Sequence, residues 1–98
     1  MTEISAIELK ERLDKGEELL IIDVREKLEY YSYNIGGIHI PLAKLSEELE
    51  QLPEEPSTEI IVICQKGIRS RTAQTLLIQA GYTNIKNLKG GLAAFHRI

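Results

Sequence analysis

The 98-residue chain has a single cysteine, no excess of basic charge and no long apolar run, and each shortage closes off a class of function. One cysteine cannot form an internal disulfide or supply a cysteine-rich zinc site. A free thiol belongs in a reducing compartment, so a cytoplasmic location is expected. His39 and His96 have no metal-ligand spacing with each other or with Cys64, so no metal is expected. The formal net charge of -3 offers no basic footprint for nucleic acid. No apolar stretch approaches the roughly 20 residues of a membrane span. The N-terminus, MTEISAIELKERL, carries charges where a signal peptide would have its apolar core. There is no repeat, linker or low-complexity segment, and the length fits one domain over residues 1–98.

What is there alternates regularly. Ser5 and Glu8 have the spacing of a capping box. Ala6, Leu9 and Leu13 share the helical face that follows, and Gly16 closes the helix. LLIIDV (19–24) and EIIVIC (59–64) each carry a run of consecutive apolar residues, the pattern of strands buried on both faces of a parallel sheet. Between them, REKLEYYSYN predicts a short helix, and GIHIPL (37–42) a short strand stopped by Pro41. Leu42, Leu45, Leu49 and Leu52 recur at helical spacing before a turn bounded by Pro53 and Pro56. Ala73, Leu76, Leu77 and Ala80 predict a long helix ended by Gly81, NIKNL (84–88) a strand, and LAAFHRI a last helix after Gly90 and Gly91. This order predicts right-handed crossovers around a mostly parallel sheet with helices on both faces, where ligands bind beyond the carboxyl ends of strands.

Cys64 stands at one of those ends, in the stretch CQKGIRS. A lone cysteine ending an apolar strand is ordinarily a small buried hydrophobe. Its neighbours argue otherwise. A strand, loop and helix in succession lift the sulfur out of the core, aim loop N–H groups at it as a nest, and set it near a helix N-terminus expected at Ser70. All three favour the thiolate, and Lys66 and Arg69 add positive charge. Gly67 permits a turn closed to other residues, and Ser70 is expected to cap the helix with a hydroxyl able to reach the sulfur. The run is no P-loop, because G-x-x-x-x-G-K-[ST] is absent.

CQKGIRS resembles the C-x-x-G-x-R-S active-site loop of the rhodanese (thiosulfate sulfurtransferase) family. Asp23-Val24-Arg25-Glu26 with Glu29 and Tyr30 is similar to that family's D-V-R-x-x-x-E-Y signature, and Ile40-Pro41 to its I-P element. Ala80-Gly81-Tyr82, Asn84 and the run Asn87-Leu88-Lys89-Gly90-Gly91 resemble its A-G-[FY]-x-x-V-x-x-L-x-G-G ending. Asn34-Ile35-Gly36-Gly37 departs from the commoner Gly-His-Ile and looks like rhodanese domains attached to ubiquitin-activating-type adenylyltransferases. Phe95 stands where the family often has tryptophan.

The resemblance implies an α/β chain with a three-layer α/β/α rhodanese-like fold and a five-stranded, mostly parallel central sheet, TEI being its first strand. It implies Cys64 as catalytic nucleophile, with Gln65, Lys66, Gly67, Ile68, Arg69 and Ser70 holding the substrate. Asp23, Arg25 and Glu29 are implied as structural support, Arg25 and Glu29 forming an ion pair beneath the site. The implied reaction moves a sulfane sulfur from thiosulfate or a persulfide to a thiol, cyanide or a sulfur-carrier or thioredoxin-like protein, by a monomer and without a cofactor. Lys66 stands where thiosulfate-using members often carry lysine, whereas Gln65 departs from their arginine. Two alternatives stay open: a non-catalytic interaction module of this fold, and a cysteine-phosphatase-like enzyme. Four residues separate Cys64 from Arg69, one fewer than in cysteine phosphatases.

Overall fold

In the computed structural model, which describes residues 2–98, Ser5 caps the first helix as its spacing predicts: its hydroxyl accepts the Glu8 N–H at 3.0 Å. The elements that follow alternate along the chain. They are β1 (Glu3–Ile4), α1 (Ala6–Asp14), β2 (Ile21–Asp23), α2 (Lys27–Ser32), β3 (Ile38–His39), two 3-10 segments (Leu42–Glu47 and Leu49–Gln51), β4 (Ile60–Ile63), α3 (Ile68–Gln79), β5 (Ile85–Leu88) and α4 (Gly91–Phe95). The strands form one five-stranded sheet in the order β1-β5-β4-β2-β3, and every pairing among them is parallel.

The runs without alternation are buried on both faces because helices cover both. Along β4, Ile60 and Val62, with Cys64 just beyond, face a cluster with Ile22, Leu45, Ala73 and Leu77. Ile61 and Ile63 face the opposite cluster, with Leu9 of α1, Leu88 and Leu92 of α4. Successive strand side chains point to opposite faces, so a central strand feeds both layers. This is the α/β/α arrangement expected from the sequence.

Three local expectations are corrected. The leucines at 42, 45, 49 and 52 lie in two short 3-10 segments separated at Glu48 (φ -119°, ψ 26°). In a 3-10 turn positions i and i+3 align, so Leu42 with Leu45, and Leu49 with Leu52, can face inward without an α-helix; Leu45 and Leu52 are buried. The strands are shorter than the apolar runs that mark them, since β2 takes only Ile21–Asp23. Helix α3 begins before Ser70, with Gly67 as its N-cap at φ 89°. No helix among the described residues is long and apolar enough to cross a membrane.

Candidate active site

Strand β4 ends at the carboxyl edge of the sheet, and the loop from Cys64 to Gly67 joins it to α3. The loop does not lift the sulfur out of the core. Cys64 is 1% exposed and packs with Val62 and Ala73. It nonetheless lines a cavity of about 360 Å³ together with Glu29, Gln65, Lys66, Ile68 and Arg69. The cysteine therefore belongs to the core and to the cleft at once.

Three donors or potential donors surround Sγ. The N–H of Gly67 lies 3.1 Å away, the N–H of Ser70 3.3 Å and the Ser70 hydroxyl 3.2 Å. Burial pushes the thiol pKa up. The Ser70 hydroxyl, and then the amides of Ser70, Lys66 and Gly67, outweigh it, so the net shift is downward. Ser70 does not cap the helix. It is the third helical residue, and its N–H is one of the first-turn donors that have no partner inside a helix. Starting the helix at Ile68 thus turns that spare donor onto the sulfur.

Two glycines make the loop geometry possible. Gly67 adopts φ 89°, and a Cβ there would lie 3.2 Å from the Leu88 carbonyl oxygen. Gly91, at φ 62°, lies against the loop so closely that a Cβ would stand 2.6 Å from the Cys64 carbonyl oxygen. This approach lets the Leu92 and Ala93 N–H groups donate to the carbonyls of Cys64 and Gln65, both at 2.9 Å. With the carbonyls held on that side, the loop's amides remain free to turn toward the sulfur.

The charged residues pair differently from the expectation. Arg25 does not form its ion pair with Glu29. Its Nε and Nη2 donate to the Asp23 carboxylate at 2.8–3.1 Å, and Nη2 also reaches the Tyr33 carbonyl at 2.7 Å. Only the backbone carbonyl of Glu29 faces Arg25, at 3.4 Å from Nη1. Asp23 and Arg25 are 0% and 3% exposed, and a buried pair persists when its remaining hydrogen-bonding groups are satisfied, as they are here. The Glu29 carboxylate instead takes Arg69, in bonds of 2.6 and 2.8 Å, and accepts the Glu26 N–H that closes the capping box of α2. Arg69, against the opposing pull of burial and with help from the Glu26 amide, holds the Glu29 pKa down at about 2.

The remaining predicted residues fall around the cleft. Lys66 and Ile68 are exposed on its wall, and Gln65 is half-buried. The ion pairs of the described residues do not include Lys66. His39 stacks on Tyr30 with ring centroids 4.4 Å apart and donates Nε2–H to the Arg25 carbonyl at 2.8 Å, while His96 packs edge-on against Tyr33. Among the described residues no cluster of His, Cys, Asp and Glu could hold a metal.

One site residue was missed. Asn87 of β5 is 1% exposed, accepts the Ser70 hydroxyl proton at 2.5 Å and donates to the Gly67 carbonyl at 3.1 Å. The available signal was an amide at the position that shares a sheet face with the apolar Ile85. Such a residue is buried only when its polar atoms find partners, and those partners lie 17 and 20 residues away.

Known proteins similar to this chain share its fold. The family model "Rhodanese-like domain" matches residues 5–98. A Bacillus subtilis protein named as a sulfurtransferase, YtwF, is 35% identical over 94 residues, covering 95% of this chain and 88% of that protein. Another from the same organism, YrkF, named as a sulfur carrier protein, is 36% identical over 91 residues; they cover 92% of this chain but only 48% of YrkF, so the chain spans about half of that relative. The crystal structure of a Staphylococcus aureus rhodanese-like domain protein superposes with a TM-score of 0.87 at 26% identity, covering 97% of this chain and 91% of that one.

Proposed function

The chain belongs to the rhodanese-like domain family, and from that premise we propose that it is a sulfurtransferase acting through a persulfide on Cys64. The observation that carries this reading is the sulfur's environment. Sγ lies on a cleft, within 3.3 Å of two N–H groups, and beside a hydroxyl. Preorganised donors of that kind favour an anionic sulfur without reorganisation.

The reaction has two displacements. In the first, the Cys64 thiolate attacks the outer sulfur of thiosulfate. A new sulfur–sulfur bond forms, the donor's sulfur–sulfur bond breaks, and sulfite leaves with the electron pair. With an organic persulfide the leaving group is the parent thiolate. In the second, an acceptor thiolate or cyanide attacks the outer sulfur of the Cys64 persulfide and the Cys64 thiolate is regenerated. No general base is required when the nucleophile is already ionised. Gln65, Lys66, Gly67, Ile68, Arg69 and Ser70 hold the donor. Asp23, Arg25 and Glu29 support the loop.

The relatives' names support this reading: one is called a sulfurtransferase and one a sulfur carrier protein. A sulfur-carrier or thioredoxin-like protein is the proposed acceptor, and a cytoplasmic monomer is the proposed state of the chain. The test is intact-mass measurement after incubation with thiosulfate or with cysteine persulfide, using Cys64→Ser as control. A gain of one sulfur atom that is discharged by cyanide and absent from the control is expected. No gain with either donor overturns the proposal.

A further inference from the structure

Ser70 has one hydroxyl proton and two acceptors in reach. Its Oγ is 3.2 Å from Cys64 Sγ and 2.5 Å from Asn87 Oδ1. Ser70 is 0% exposed and Asn87 1%. The orientation of the Asn87 amide is set independently. Its Nδ2–H donates to the Gly67 carbonyl at 3.1 Å, and a carbonyl only accepts. The amide oxygen therefore faces Ser70, and the bond between them uses the Ser70 proton.

That leaves Cys64 to supply the proton in its own contact with Ser70, which it does as a thiol. The chain of donors then runs from Sγ to Oγ to Oδ1. As a thiolate, the sulfur has no proton to give, and two acceptors compete for one hydroxyl. If the hydroxyl turns to the sulfur, a buried amide oxygen loses its donor, which is costly. If it stays with Asn87, the thiolate keeps only the backbone amides of Ser70, Lys66 and Gly67.

We propose that Asn87 is a positioning residue that competes with Cys64 for the hydroxyl proton of Ser70, weakening the hydrogen bond that the free thiolate receives from the hydroxyl and so keeping it more nucleophilic. Once Sγ is bonded to a second sulfur, most of the negative charge sits on the outer atom. The hydroxyl then returns to Asn87 without loss. The arrangement thus penalises the resting thiolate and spares the sulfur-loaded state. The charged groups around Cys64 are Glu29 of α2, Lys66 of the loop, Arg69 of α3 and the mutually paired Asp23 and Arg25 at the end of β2. All of them stay in place in the variants below, so they cancel in the comparison.

The inference takes from the proposed function only that Cys64 is the reacting residue. The test needs no sulfur donor. Failure of every donor to load Cys64 would overturn sulfur transfer and leave this competition standing. The full chain is titrated by the ultraviolet absorbance of its thiolate, with Cys64→Ser as blank, and by alkylation with iodoacetamide. Asn87→Ala and Asn87→Asp are each made with Ser70 present and with Ser70→Ala. Freeing the hydroxyl in Asn87→Ala should lower the inflection by about one pH unit. It should also slow alkylation on the high-pH plateau about threefold, because nucleophilicity falls with thiol pKa. In the Ser70→Ala background Asn87→Ala should move neither. Asn87→Asp, which keeps the shape of the side chain, should raise the inflection more with Ser70 than without it. Equal shifts in the two backgrounds, or none, would show that Asn87 merely shapes the loop and overturn the proposal. Either substitution decides the matter through its own double-mutant cycle, should the other fail to fold.

Discussion

Glu29 and Arg69 stand 40 residues apart and meet in a two-pronged ion pair, Nη1 to Oε1 at 2.6 Å and Nη2 to Oε2 at 2.8 Å. The pair ties α2 to the first turn of α3 on the wall of the cleft. It also decides the charge that an incoming donor meets. With Cys64 ionised, Lys66 and Arg69 are balanced by Glu29 and the thiolate, and a thiosulfate dianion gains no net attraction.

Glu29→Gln should therefore improve thiosulfate use. Removing one negative charge from the cleft wall should raise kcat/KM for thiosulfate roughly three- to tenfold at low salt, with the gain shrinking as salt is added. The glutamine oxygen still accepts the Glu26 N–H, so α2 keeps its capping interaction. Steady-state kinetics at two ionic strengths check this. An unchanged or lowered kcat/KM would mean that the pair acts on loop shape rather than on charge.

Lys66→Ala should act in the opposite sense. The side chain is exposed on the cleft and outside the ion pairs of the described residues. Its loss should cost under about 0.5 kcal/mol of stability. For thiosulfate, kcat/KM should fall about tenfold. Urea unfolding and kinetics on one preparation separate the two effects. If Gln65→Ala loses thiosulfate use and Lys66→Ala keeps it, Gln65 rather than Lys66 binds the donor.

Arg25→Ala should be the most damaging single change near the site. It leaves the Asp23 carboxylate fully buried and without its counter-charge. Breaking such a pair from one side typically costs about 3–5 kcal/mol. Chemical denaturation should show a loss of that size. A loss under about 1 kcal/mol would indicate that water reaches Asp23 once the guanidinium is gone.

Acid should weaken the fold through Glu59 as well as Glu29. Glu59 accepts from Arg12 at 3.0 and 2.6 Å and from Lys86. Arg12, against the opposing effect of burial and with Lys86 adding to it, lowers its pKa from 4.5 to about 2. A carboxylate whose folded pKa is depressed contributes fully above its unfolded value, and the contribution is lost as pH falls to the folded one. Stability should decline between pH 4.5 and about 2. Glu59→Gln should lose about 1 kcal/mol at neutral pH and show a flatter decline across that window. A parallel decline in the variant would assign the acid sensitivity to other groups.

The unmodified protein should not hydrolyse aryl phosphates. A phosphoryl group needs donors around three oxygens and an arginine free to clamp two. Here only four residues separate Cys64 from Arg69, and Arg69 is already engaged by Glu29. A phosphorus displaced by about 1 Å loses on the order of a hundredfold in rate. Phosphate release through Cys64, without loading by thiosulfate or cysteine persulfide, would replace sulfur transfer with phosphate hydrolysis.

The sequence alone determined what depends on near neighbours and on periodicity. Residues 60–64, apolar at successive positions, required a strand covered on both faces, and β4 is that strand. Ser5 and Glu8 marked a helix start because a cap acts across three residues. The placement of Cys64, Lys66, Gly67 and Arg69 around a strand-to-helix loop was legible for the same reason. Tertiary structure alone decided which partners those groups take. Arg25 had carboxylates at positions 23, 26 and 29 within reach of its chain, and packing at the end of β2 gave it Asp23. Glu29 was thereby left for Arg69. Ser70 had the composition of a cap, but the left-handed Gly67, pressed against β5 and the Gly90-Gly91 turn, started the helix earlier and turned the Ser70 amide to the sulfur. Asn87 gained its role only because parallel pairing sets β5 beside β4, bringing its amide under a loop 20 residues away. Local patterns are set by the geometry of a few consecutive bonds. Choices among chemically equivalent partners are made only when distant segments are packed together and water is excluded.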